Sequence, residues 1–360
     1  MAFAKLIGQP RIARMLNSLV NSGSYPSLLF TGQSGVGKRT AALYLAQAAN
    51  CEQTTRPPCG LCRSCRTIAL LQHPDIKLLI PLRPPHSETE PAETVRNLYE
   101  LLPEYSLAKA QPQLDPKHTI GIGLVRWLRS EIARPPTLAR QRFFIILHAH
   151  QMTREAINAL LKMLEEPHPK TCFLLTTDRP GELLPTVRSR CQTLRFANIP
   201  EAEIREWLSQ NTTADSATTA LAAAVASGSL GRALQFIKAP EELFNSRAAR
   251  YFTTAELDMR VVLKTMSELV GNKSGLAAVT QTFFLLYNMA LREKLDLSLP
   301  ENPYRAAAKI KSRAISLRQL HRIVDYLRLR LDDSQHPIYS SLAMYTLLSA
   351  LLPDSPVTNP

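Results

Sequence analysis

Cys51, Cys59, Cys62 and Cys65 fall in one short stretch of this chain, spaced C-x₇-C-x₂-C-x₂-C. Four thiolates fill the positions of a tetrahedral Zn²⁺ at about 2.3 Å per bond and leave none open for a substrate. The site they predict is therefore a structural zinc clip. An iron–sulfur cluster is the other use of such a set, with the two C-x₂-C pairs sharing Cys62. Gly60 and Pro57-Pro58 supply the turns. Cys172 and Cys191 stand alone, so the usage reads as metal binding in a reducing compartment, not as a disulfide framework.

A second constellation is Gly32-Gln33-Ser34-Gly35-Val36-Gly37-Lys38. Glycines at this spacing let the backbone turn tightly and aim its N–H groups at phosphate, while the lysine reaches the β/γ-phosphates. Gly32, Gly35, Val36, Gly37 and Lys38 would line ATP or ADP, with Arg39 and Thr40 opening the next helix. In a Mg²⁺-dependent site the residue after the lysine is Ser or Thr, whose hydroxyl meets the ion. Here it is Arg39, and Thr40 is turned from that direction by roughly 100°. Hydrolysis further needs carboxylates at the end of a later strand. The strand ending at Leu147 delivers His148, Ala149 and His150 instead. Two imidazoles could ligate a softer metal, but two histidines alone read as structural. A cradle for triphosphate without the groups that manage magnesium predicts little or no hydrolysis by this chain.

The elements that must position these groups alternate. Short apolar runs at 27–31, 75–80, 141–147, 171–177 and 192–196 predict five strands, and helical spacing recurs at 39–49, 124–133 and 154–166. That rhythm predicts a parallel sheet covered by helices. The Pro-rich, charged stretch 81–118 reads as a surface insertion, and beyond residue 200 the pattern is helical only, with a three-helix unit at 201–209, 216–227 and 230–237.

Composition bounds the rest. With 45% apolar and 20% charged residues the 360-residue chain is globular and long enough for two or three domains. No apolar run approaches the roughly 18 residues that cross a bilayer, and the N-terminus lacks the apolar core of a signal peptide, so cytoplasm is expected. The net charge of +13 favours a polyanionic neighbour. Much of it is local, in Arg305, Lys309, Lys311, Arg313, Arg318, Arg322, Arg328 and Arg330. A solvated helical face and a nucleic-acid groove both fit that run, which carries no aromatic platform for single strands.

Leu6-Ile7-Gly8-Gln9, the phosphate loop, the four-cysteine insertion and His73-Pro74-Asp75 recur with four further segments. These are the run from Asn158 to Pro167, Thr176-Thr177-Asp178, Ser189-Arg190-Cys191 and the segment 228–234. Together they resemble the clamp-loader branch of the AAA+ family over residues 1–238, and the rest of the chain matches in length and helical character only. The resemblance implies an α/β P-loop (AAA+) domain with a parallel sheet at 1–198, carrying the zinc insertion at 51–65. After it would come a small three-helix lid at 199–239, an all-α collar for oligomerisation at 240–352 and a tail at 353–360.

It also implies a subunit of the bacterial DNA polymerase III clamp loader, part of a nucleotidyltransferase holoenzyme. That loader is a hetero-pentamer with gamma/tau and delta subunits, which opens a sliding clamp and closes it on primed DNA. Loader ATPases keep an Asp-Glu pair after the third strand and Thr after the lysine. This chain departs at both, which implies a non-hydrolysing member. Carried onto Ser189-Arg190-Cys191, the resemblance makes Arg190 a finger acting in trans on a neighbour's ATP; Thr177 and Arg232 fall at its nucleotide-sensor positions. Two other functions compete. One is an active gamma/tau-like ATPase drawing its acid from Glu165 or Glu166. The other is a free-standing zinc-containing nucleic-acid binder, which explains charge and cysteines but not the 158–167 helix or Ser-Arg-Cys.

Overall fold

A computed structural model of the chain describes residues 6–55, 57–83, 91–107, 118–238, 273–297 and 305–333. The chain divides into two compact units, Met1–Glu203 with Gly228–Gly231, and Ile204–Ser227 with Arg232–Pro360.

The first unit is built on five parallel strands: β1 (Leu28–Thr31), β2 (Ile76–Leu79), β3 (Arg142–Ile146), β4 (Thr171–Thr177) and β5 (Gln192–Arg195), in the order β2-β3-β4-β1-β5. Every residue of β1, β3 and β4 is buried, as expected of parallel strands covered on both faces. Covering helices include α1 (Pro10–Ser22), α2 (Lys38–Ala49), α3 (Arg63–Ala69), α4 (Pro91–Leu101), α5 (Ile122–Ala133), α6 (Arg154–Glu165) and α7 (Pro185–Ser189). The predicted strands and helices of this unit are all present. The register matters for function. Phe30 pairs with Thr176 and Ile146 with Leu175, so the chain leaving β1, β3 and β4 emerges along one edge of the sheet.

The stretch 81–118 corrects the reading of it as a surface insertion. It carries α4 and a 3₁₀ turn at Leu102–Tyr105, and Leu98, Leu102 and Tyr105 are buried in the main core. The flanking prolines and charges masked a three-to-four-residue apolar spacing. Residues 84–90 and 108–117 lie outside the described residues.

Three polar clamps hold the loops. The side-chain amide of Gln9 donates to Ala197 O at 2.6 Å and its carbonyl accepts from Ala197 N at 3.1 Å. Asn50 makes the same two-way contact with Gln141. Asp75 accepts the backbone N–H groups of Thr137, Leu138 and Ala139 at 2.7–2.8 Å. Burial alone would raise the Asp75 pKa; the three donors and His73 more than reverse it, so it lies below the usual carboxylate value. Asp75→Ala leaves three donors without an acceptor and is expected to cost about 2–4 kcal/mol in denaturant unfolding. The native carboxyl is the depressed one, so its contribution is complete above the unfolded pKa and lost as the pH falls through the folded value. Wild type and variant should converge in acid.

The second unit is helical: α8 (Glu201–Asn211) runs into it, followed by α9 (Ser216–Val225), α10 (Leu230–Lys238), α11 (Lys273–Lys294), α12 (Arg305–Ala314) and α13 (Leu317–Asp333). Phe283, Phe284, Leu286 and Tyr287 of α11 are fully enclosed, and α11 packs on α12 and α13. The basic run is not one solvated face. Lys309, Arg313, Arg318 and Arg322 are exposed, but Lys311 is buried and Arg305 pairs with Glu293 at 2.8 Å. The predicted tail, 353–360, and much of the predicted collar lie outside the described residues.

Candidate functional site

The phosphate loop joins β1 to α2 with Gly32, Gly35 and Gly37 all at positive φ, where a side chain would be strained. Two of them are further constrained by close approach. A Cβ on Gly32 would lie 2.7 Å from Phe196 O, and one on Gly35 would lie 2.3 Å from Ser229 Oγ. Ser229 donates to Ser34 O at 2.8 Å and Gly231 N to Gly35 O at 3.1 Å, so the 228–231 segment is stitched to the loop. Lys38 Nζ donates to Gly32 O at 2.6 Å and Gln33 O at 2.8 Å; phosphate would have to exchange for these carbonyls. Val36 is in the core, so only its backbone faces the loop.

Arg39, at the position where a hydroxyl would meet Mg²⁺, is buried. Burial lowers its pKa to about 10, and Tyr105 beside it opposes that shift; the same burial pushes Tyr105 up to about 12. Thr40 is half-buried.

The adjacent edge, after β3 and β4, assembles more than the sequence indicated. His148 is in the left-handed region at φ 51°, with its N–H on Thr176 Oγ1 at 3.2 Å. His150 follows on the 3₁₀ turn Ala149–Gln151, its Nδ1 3.0 Å from Thr177 Oγ1 and 3.5 Å from Asp178 Oδ1. Thr177 Oγ1 also accepts from Arg179 N at 3.0 Å. Burial, its largest cause, holds His148 down to about 4 against the pull of Asp178, and lowers His150 as well. Burial would raise Asp178, but His150, His148, Lys38 and Arg179 together bring it below the usual range. At neutral pH these three groups therefore stand as two neutral imidazoles and a carboxylate. Asp178 is the residue the sequence reading missed as chemistry. Arg232 belongs to the second unit, where its guanidinium lies over the Phe284 ring, 5.8 Å from the centroid.

Arg190 stands elsewhere. It caps α7, with Ser189 exposed before it and Cys191 buried after it, an arrangement that anchors the backbone and leaves the guanidinium outside. Its Nη1 donates to Thr186 O at 3.0 Å and its Nη2 lies 2.5 Å from Glu165 Oε1 at the end of α6. Gln192, two residues on, is in register with Leu28, the first residue of β1, whereas the phosphate loop begins after Thr31, the last. At about 3.3 Å per residue, the strand sets Gln192 about 13 Å along the sheet from the phosphate loop, with Arg190 just before it at that far end. That geometry disfavours action in cis. Glu165, already paired with Arg190, is likewise not placed at the chain's own phosphate loop.

The four sulfurs of Cys51, Cys59, Cys62 and Cys65 lie within 4.8 Å of one another. A tetrahedron with 2.3 Å bonds has edges of about 3.8 Å, and Cys59 Sγ is 3.9 Å from Cys65 Sγ. Backbone N–H groups of Leu61 and Cys62 point at Cys59 Sγ at 3.4 and 3.3 Å, lowering that thiol to about 6. Cys65 N donates to Cys62 Sγ at 3.4 Å. Aligned donors and converging thiols fit a bound dication of the zinc class.

A protein-family model described as "DNA polymerase III, delta subunit" matches residues 8–200, more than half of the chain. The chain belongs to that family. DNA polymerase III subunit delta' of Bacillus subtilis is 34% identical over 201 residues, 56% of this chain and 51% of that protein. The delta' subunit of Haemophilus influenzae is 29% identical over 219 residues, 61% of this chain and 56% of that one. DNA polymerase III subunit gamma/tau of Mycobacterium tuberculosis is 29% identical over 211 residues, 58% of this chain and 31% of the other. The chain thus spans about half, or less, of the length of the curated relatives it matches. The family supports the expected clamp-loader resemblance, and the parallel sheet followed by helices is the fold class expected. No helix among the described residues is long and apolar enough to cross a membrane.

Proposed function

We propose that this chain is a delta-prime-type, non-hydrolysing subunit of a bacterial DNA polymerase III clamp loader. It works in the cytoplasm with gamma/tau and delta subunits in a hetero-pentamer that loads a sliding clamp on primed DNA. Residues 199–239 act as lid and 240–352 as collar. The observation that carries the reading is the split between the two ends of the sheet. One end keeps a phosphate loop but sets Arg39 and His148 where a hydroxyl and acids would manage Mg²⁺. The other presents Arg190 toward the outside.

Arg190 would complete the ATP site of the neighbouring subunit by neutralising charge on the transferring phosphoryl group. The partner that holds it in the lone chain is weakly bound. An ion pair as exposed as Arg190–Glu165 contributes about 0–1 kcal/mol, so exchanging the carboxylate for a neighbour's phosphate costs little. The four thiolates would hold Zn²⁺, which closes the loop under α2. The chain's own loop would accept ATP or ADP if Lys38 leaves Gly32 O and Gln33 O.

A second reading, an ATPase in its own right, gains one point from Asp178, a carboxylate beside Lys38's field. No acid follows β3, where His148, Ala149 and His150 stand, and Asp178 faces His150. Reconstitution separates the readings. Purified gamma/tau, delta and this chain should form a complex that loads clamps on primed DNA, and loading should fail when this chain is omitted. Full loading without it would remove the proposal.

A further inference from the structure

We propose that His148, His150 and Asp178 form a second metal site in this chain, one that takes a single divalent transition-metal ion of the zinc and cobalt class. The three donors come from the ends of the neighbouring strands β3 and β4, and their ligand atoms lie within 4.8 Å of one another. Around a dication with bonds of about 2.0–2.2 Å, donors stand roughly 3–3.6 Å apart, so the widest separation has to close by about 1–2 Å. Two imidazoles with one carboxylate suit borderline transition metals, whereas Mg²⁺ demands oxygen ligands. The ion expected here therefore differs from the one a nucleotide triphosphate usually brings.

Two further observations bear on it. Asp178 Oδ1 is buried, accepts no hydrogen bond among the described residues and lies 3.5 Å from His150 Nδ1, so its lone pairs are open to a cation beside that imidazole. Thr177 Oγ1, 3.0 Å from His150 Nδ1, is the kind of outer contact that fixes a ligating imidazole. His148 is held by its own N–H on Thr176 Oγ1. Lys38 and Arg179 oppose a second cation at this edge; Arg179 is partly compensated by Glu182 at 3.2 Å. Three protein donors leave at least one coordination position for water or a phosphate oxygen. The inference needs only these three side chains and stands whether or not the chain joins a loader.

Cobalt titration of the metal-depleted full chain tests it. Two equivalents are expected. One shows the intense thiolate charge-transfer bands of the cysteine cluster, and the other only the weak visible bands of nitrogen and oxygen ligands. Asp178→Asn and His148→Gln should each abolish the second equivalent, or weaken it at least tenfold, and keep the first. The thiolate bands then report that the variant is folded. A wild type that shows only the thiolate-band equivalent, or a nitrogen–oxygen equivalent unchanged in both folded variants, would overturn the site. The wild-type count decides even where a variant does not fold.

Discussion

Alanine at Arg190 is expected to slow ATP hydrolysis at the adjoining site of a reconstituted loader by about 10³-fold or more, the usual worth of an arginine finger. Assembly should survive. Arg190 is partly exposed, its backbone is anchored by the buried Cys191, and its bonds to Thr186 O and Glu165 are surface contacts. Glu165→Gln is the matched control: loss of an exposed ion pair changes turnover by no more than about fivefold. If instead Glu165 were the acid of an active site in this chain, that conservative change would be the severe one. Single-turnover hydrolysis in complexes containing each variant, with gel filtration to confirm assembly, reads both outcomes. Equal turnover for wild type and Arg190→Ala would remove the finger.

If the four cysteines hold Zn²⁺ as proposed, its removal is expected to produce the largest loss of stability. Structural zinc sites contribute about 10–16 kcal/mol to the folding of small peptides. Here the cluster is one seam of a larger core, so only part of that is at stake. The seam is nonetheless a central one. Cys65 and Ile68 of α3 are fully buried, and the Gln47 amide of α2 donates to Cys65 O at 2.6 Å. Four thiols forced together without an ion would leave α3 unpinned beneath the helix that starts at Lys38. At about 2–4 °C per kcal/mol for a domain of this size, chelation or Cys62→Ser should lower Tm on the order of 10 °C. Calorimetry with metal content measured on the same sample checks it. An unchanged Tm after verified metal removal would show that the loop stands without it.

The sheet was legible because parallel strands buried on both faces are written as uninterrupted apolar runs, such as Phe143 to Leu147. The cysteine cluster was legible because its ligands are close in sequence. What escaped depends on strand adjacency or on contacts no local pattern encodes. Asp178 meets His150 only because β3 and β4 are neighbours, and Glu165 meets Arg190 only because α6 ends near α7. The stitching of Gly35 to Gly231 and Ser229 joins segments far apart in the chain. Helix α4 was hidden by prolines and charges, although Leu98, Leu102 and Tyr105 carry its buried side. Arg39 was recognised as a departure from the expected hydroxyl, but its burial beside Tyr105 required the fold.

The most direct measurement is Mg²⁺-dependent ATP turnover by the rigorously purified single chain, run beside a Lys38→Ala control. No turnover above that control is predicted, since no hydroxyl follows the lysine and no pair of carboxylates stands at the end of β3. Steady phosphate release by the wild-type chain that disappears with Lys38 would contradict the account.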